Sequence, residues 1–211
     1  MAHEHNDHCG HEAHDHDHDH DAPGNLGPSD TLYPYIDFEN VVALNAETEG
    51  RVAIKPWHER QSEEKFIESD ADDQLILRVP FTGSVKLRAI LLKTGPGEQT
   101  PDKVCIFANE DNLDFSDVSE RKPIQEFDVP ESRDVGEYAV KPAKFSNVTS
   151  VTLFFPGSLG GDTTRLYYVG FLGHWTERKT NPVITVYESQ ANLADHEKIQ
   201  GMDGSFSAPQ M

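Results

Sequence analysis

In the stretch Ser84-Val85-Lys86-Leu87-Arg88-Ala89-Ile90-Leu91, Val85, Leu87, Ala89 and Leu91 fall on one face of an extended chain, and Lys86 and Arg88 on the other. A two-residue period of this kind fits a strand with one face in a core and one in water, and does not fit a helix. Around it, from about residue 31 to 190, short runs of β-branched, aliphatic and aromatic residues are broken by Gly, Pro, Asn and Asp. Residues 75–79, 151–155 and 166–172 alternate less cleanly, as strands covered on both faces do. Residues 104–107, 138–140 and 183–187 add three more candidate strands. Seven or more strands in one chain predict an all-β fold, a two-sheet sandwich. Only residues 62–66 and 194–199 read as helical.

Residues 1–21 hold eight of the eleven histidines, seven acids and no Lys or Arg, and a Pro/Gly-containing linker follows. Without aliphatic residues to offset the entropy of ordering, this His/Asp-rich N-terminal stretch is expected to be disordered. The predicted organisation is a tail and linker over 1–30, a β-sandwich over 31–196 and a flexible C-terminal tail over 197–211. Outside residues 1–21, 30 acids still face 18 bases, so the sandwich itself is acidic. That balance argues against phosphate-backbone and anionic-lipid partners and leaves a basic or mixed protein surface as the natural counterpart. No apolar run approaches the length of a membrane span.

The search for chemistry returns mostly exclusions. Cys9 and Cys105 make no C-x-x-C pair, and no G-x-S-x-G elbow, Walker loop, G-x-G-x-x-G or H-E-x-x-H is present. His58, His174 and His196 are scattered. No enzyme activity and no required cofactor are expected. The tail is different: His8, Cys9, His11, His14, His16, His18 and His20 offer imidazoles and a thiol that would take zinc, copper or nickel. Asp70, Asp72 and Asp73 precede a strand without the donor spacing of a calcium loop, so side-chain capping of a turn is the reading. Residues 80–83 should end one strand and turn into the next, with Phe81 filling the core. No segment reads as a secretory signal, and the chain is expected in cytoplasm and nucleus, as a monomer.

Several blocks, in order, are similar to the PITH domain family, named from proteasome-interacting thioredoxin. They are Lys55-Pro56-Trp57, residues 66–73 (FIESDADD), 79–87 (VPFTGSVKL), 145–148 (FSNV), 161–170 (GDTTRLYYVG) with Gly173-His174-Trp175, and 187–196 (YESQANLADH). The resemblance implies a jelly-roll-like, galactose-binding-like β-sandwich, no catalytic residues, and association with the regulatory particle of the proteasome. Lys55, Trp57, Asp70, Asp72, Asp73 and Arg165, polar or amphipathic and near predicted loops, are the candidate partner-binding residues. Two other functions stay open on the residues alone. One is a carbohydrate- or small-ligand-binding jelly roll, and the other is metal buffering through the tail.

Overall fold

One strand organises the molecule. In the computed structural model, which describes residues 27–178, β3 runs without interruption from Leu75 to Thr94 and contributes to both layers. Seven further strands are arranged around it: β1 (Val42–Leu44), β2 (Ile67–Glu68), β4 (Lys103–Ala108), β5 (Gln125–Asp128), β6 (Gly136–Ala139), β7 (Val148–Phe155) and β8 (Arg165–Thr176). The first half of β3 lies between β1 (Ala43 opposite Leu77) and β7 (Leu77 opposite Leu153). Its second half lies between β8 (Ile90 opposite Phe171) and β6 (Ile90 opposite Tyr138). β4 and β5 extend the first layer beyond β7, β2 flanks β8 in the second, and all pairings are antiparallel. The result is the expected jelly-roll-like β-sandwich, with its two sheets joined by a shared strand.

The core follows from side-chain parity. Leu75, Leu77, Val79 and Phe81 from the first half of β3 meet Val151, Leu153 and Phe155 of β7 and Leu166, Val169 and Phe171 of β8 in one buried cluster. Fully burying side chains of this size stabilises by roughly 1.5–3 kcal/mol each. Residues 76, 105, 107 and 154 point the other way and are covered by Leu113, Phe115 and Val118 of a loop and a short helix, α1 (Phe115–Glu120).

Three sequence expectations need correction. Residues 80–83 do not end a strand. Pro80 has no N–H to donate, and the register against β7 shifts between Pro80 and Val85, but the chain stays extended. It does so because Asp37 N–H donates to Pro80 O, Ile36 bridges Phe81 and the Thr82 hydroxyl donates to Tyr35 O. Phe81 does fill the core. Second, Ala89 and Leu91 do not share a face with Val85 and Leu87. Leu87 pairs with Gly173 and Ala89 with Leu172, so Arg88 is an extra residue bulged out of the ladder, and a one-residue slip exchanges the faces beyond it. Ile90 and Leu92 therefore enter the main core, while Ala89 and Leu91 pack with Tyr168 and Leu172 beneath Trp57.

Third, residues 62–66 form no helix. The Lys55 ammonium donates to Ser62 O (2.9 Å) and Lys65 O (2.6 Å), carbonyls that a helix would need for itself. The α-helix lies at Phe115–Glu120, started by a reciprocal cap between Asp114 and Asp117. The expected strand 183–187 and helix 194–199 lie outside the described residues, as does His196.

Candidate interaction site

Five of the six candidate partner-binding residues lie within the segment 55–73, and the sixth, Arg165, is bonded to it. The segment begins at Lys55, which is buried and whose ammonium donates to two loop carbonyls, Ser62 O and Lys65 O. Burial pushes this ammonium below the usual lysine value; Glu59 opposes the shift, while Lys65 and Lys93 reinforce it. A second buried ammonium, Lys93 Nζ, donates to Gln61 O (2.8 Å) and meets Glu63 at 2.9 Å. Two cations thus pin the 59–66 loop from below.

Trp57 lies half-buried over the Leu91–Tyr168 cluster, with the Arg60 guanidinium 4.3 Å from its ring centre. Burial pushes the Tyr168 phenol beneath it up to about 12, Arg60 opposing and Tyr33 adding. Trp57, Pro56, Pro28, Tyr33, Pro34 and Tyr35 line a groove of about 450 Å³, and Tyr35 stacks on Trp175 with ring centres 4.6 Å apart. The aromatic and proline character of this groove follows from the Tyr33-Pro34-Tyr35 and Lys55-Pro56-Trp57 runs.

Next along the segment, Phe66 sits under the Arg165 guanidinium at 4.3 Å. Glu68 and Arg165 are directly opposite across the β2–β8 pair, so their side chains meet by register. Arg165 donates twice to Glu68 Oε2 (Nε 3.0 Å, Nη2 2.6 Å), while Gln99 and Thr163 donate to Oε1, each at 2.7 Å. Burial alone would raise the Glu68 carboxyl, but the bonds from Thr163, Arg165 and Gln99 and the Arg165 charge outweigh it and hold the group below the usual carboxylate range.

The three aspartates separate into two kinds. Asp73 is turned inward: its carboxylate accepts from Ser158 N–H at 2.8 Å, and its carbonyl accepts from the Thr164 hydroxyl at 2.6 Å. Asp70 and Asp72 are exposed. Asp72 Oδ1 accepts from Gln74 N–H (3.0 Å), the side-chain-capped turn read from the sequence, and from Asn45 Nδ2 (2.7 Å). Asn45, which sequence reasoning missed, shapes this loop: it sits at φ 57°, donates also to Gln74 O and accepts from Ala71 N–H. Its signal was an Asn beside a short apolar run, a residue type that tolerates the left-handed region.

The arrangement is a segment, 55–73, that carries two outward carboxylates on a tied-down loop at its C-terminal end and an aromatic groove around Trp57 at its N-terminal end. Among the described residues no three His, Cys, Asp or Glu side chains come close enough to hold a metal ion, and no helix is long and apolar enough to cross a membrane. His58 and His174 are exposed. Cys105 is buried on β4, and burial, with Glu126, pushes its thiol up, away from the reactive thiolate. The metal-ligand candidates His8, Cys9, His11, His14, His16, His18 and His20 lie outside the described residues.

A family model described as PITH domain matches residues 22–191. The chain is 41% identical over 211 residues to "PITH domain-containing protein CG6153" of Drosophila melanogaster, covering 97% of both proteins. It is 39% identical to "PITH domain-containing protein 1" of Mus musculus, over 82% of this chain and 84% of that protein. Among solved structures, that of the CBM32-1 and CBM32-2 domains from Clostridium perfringens ZmpB superposes with a TM-score of 0.51 at 15% identity, covering 66% of this chain and 35% of that one. This last likeness is one of fold, the galactose-binding-like sandwich.

Proposed function

Because the chain belongs to the PITH domain family, we propose that it is a non-catalytic proteasome-interacting module that docks on the 19S regulatory particle of the 26S proteasome and modulates its activity or substrate access. Family membership carries the reading, and the loop end gives it a physical surface. Asp70 and Asp72 are exposed on a loop tied down through Asn45 and Asp73, and the surface around them belongs to a strongly acidic chain. Carboxylates presented in this way speed encounter with a basic or mixed protein surface and fix its orientation. Trp57 and its groove add the amphipathic aromatic area at which interface energy concentrates.

In this reading the other polar candidates are supports: Lys55, Asp73 and Arg165 hold the loops, and Asp70, Asp72 and Trp57 face the partner. The module acts as a monomer in cytoplasm and nucleus, needs no cofactor and makes no use of nucleic acid or membrane. The test is capture of purified 26S and 20S particles by the full chain, read by mass spectrometry together with peptidase and ubiquitin-substrate assays. Selective capture of 26S is expected. Equal capture of 20S, or of neither, would overturn the reading.

A further inference from the structure

The described part of the chain begins inside the aromatic groove. Gly27 sits at φ 85°, and a Cβ there would come within 2.4 Å of Trp57 Cγ, so the backbone lies directly against the indole. Gly27, Trp57 and His58 all line the groove. The His/Asp-rich N-terminal stretch is therefore tethered at this spot: His20 precedes Gly27 by seven residues, which span at most about 25 Å.

His58 and Glu59 follow Trp57 on the same short 3-10 turn, Trp57–Glu59. Both side chains are about half exposed, and His58 Nε2 lies 3.5 Å from Glu59 Oε1, long for a hydrogen bond. The spacing does match one edge of a tetrahedral zinc site, where nitrogen and oxygen donors about 2.0–2.1 Å from the ion stand roughly 3.4 Å apart. Two donors alone do not make a zinc site, and among the described residues no third His, Cys, Asp or Glu joins them. Donors of the right kind are tethered next to the pair: His14, His16, His18 and His20 alternate with aspartates just ahead of the groove.

We propose that His58 and Glu59 are one half of a zinc site, and that two imidazoles from His14, His16, His18 and His20 are the other half, so that the metal clasps the N-terminal stretch across the Trp57 groove. Imidazole with a single carboxylate is a donor set for zinc, and calcium and magnesium, which prefer oxygen, are excluded by it. The ion also removes an obstacle to closure: residues 1–21 carry seven acids and no Lys or Arg, and without a cation between them this stretch and Glu59 repel each other. Zinc loading then closes the groove to other chains. That consequence for docking rests on the reading of Trp57 as partner-facing; the metal site itself does not.

The test is a titration of the full chain with zinc chloride alone, followed by calorimetry and by the NMR signals of Trp57 Nε1–H and the Tyr33 and Tyr35 rings. Zinc should bind and shift these groove signals saturably, and calcium chloride should not. His58→Gln/Glu59→Gln removes only exposed donors; its N-terminal histidines still take zinc, but roughly tenfold or more weakly, and its groove signals stay in place. His14→Gln/His16→Gln/His18→Gln/His20→Gln should lose the groove shifts as well. No zinc binding, zinc binding that leaves the groove signals unmoved, shifts that survive undiminished in either variant, or equal shifts with calcium would overturn the proposal. In a second arm, capture of regulatory particle by the parent should fall as zinc is added, and capture by His58→Gln/Glu59→Gln should not. No capture at any zinc level would overturn the docking reading, while the groove signals decide the zinc clasp on their own.

Discussion

At the scale of the residue, the loop end depends on a few buried charges. Lys55→Ala would leave Ser62 O and Lys65 O without their charged donor and open space where the stem packed. We expect a loss of about 2–4 kcal/mol in denaturant unfolding, with the 59–66 loop becoming protease-sensitive. Glu68 gives the fold a pH dependence of definite sign. Its carboxyl is held below its free value of 4.5, so its contribution is complete above that pH and is lost as pH falls through the lower folded value. Thermal unfolding measured from pH 7 downward should show this acid-side loss in the parent and not in Glu68→Gln; superimposable profiles would contradict the network at Glu68. Lys55 also shows what a lone sequence hides: a lysine beside a Trp looks like surface, and only the fold reveals that two carbonyls lie within reach to draw it inside.

At the scale of the element, β3 explains both what was legible and what was not. Its existence, and the two-sided burial of the strands at 151–155 and 166–172, were readable because parity and β-branched composition are local properties. The bulge at Arg88 was not, because a bulge is set by the register of the partner strand, here Gly173 and Leu172 of β8. The passage through 80–83 was hidden for the same reason: Pro80 and Gly83 read as a turn until Ile36 and Tyr35 are seen to hold the chain extended. Gly83 is there for space, since a Cβ would come within 2.3 Å of Trp175 Nε1 and 2.5 Å of Thr176 O. Gly83→Ala should therefore cost about 1–3 kcal/mol and loosen the Trp175–Tyr35 stack, read as a change in tryptophan fluorescence. The helix at 115–120 was legible in principle from Asp114-x-x-Asp117, a capping pair. Asp114→Ala should destabilise by about 1 kcal/mol. The candidate site was legible as a list of residue types, but the division between Asp73, turned inward, and Asp70 and Asp72, turned outward, depends on Ser158 and Asn45, distant in sequence.

At the scale of the whole molecule, the sandwich is a rigid support for its loops. Both sheets share one strand and one core, and the charge of the chain is strongly negative. Docking driven by such a surface should weaken with salt, because exposed carboxylates act through a field that ions screen within about 8–10 Å. The central claim is that this family member meets the proteasome regulatory particle through the outward acids of the loop end. Its most direct test is the affinity of the full chain for purified regulatory particle, measured beside Asp70→Lys, a variant that spares the turn-capping carboxylates of Asp72 and Asp73 and so leaves the loop scaffold intact. We predict specific binding by the parent and at least a tenfold loss in the variant at an unchanged unfolding midpoint, about 1.4 kcal/mol of binding free energy. Equal affinity of the two proteins, or no binding by the parent, would contradict the account.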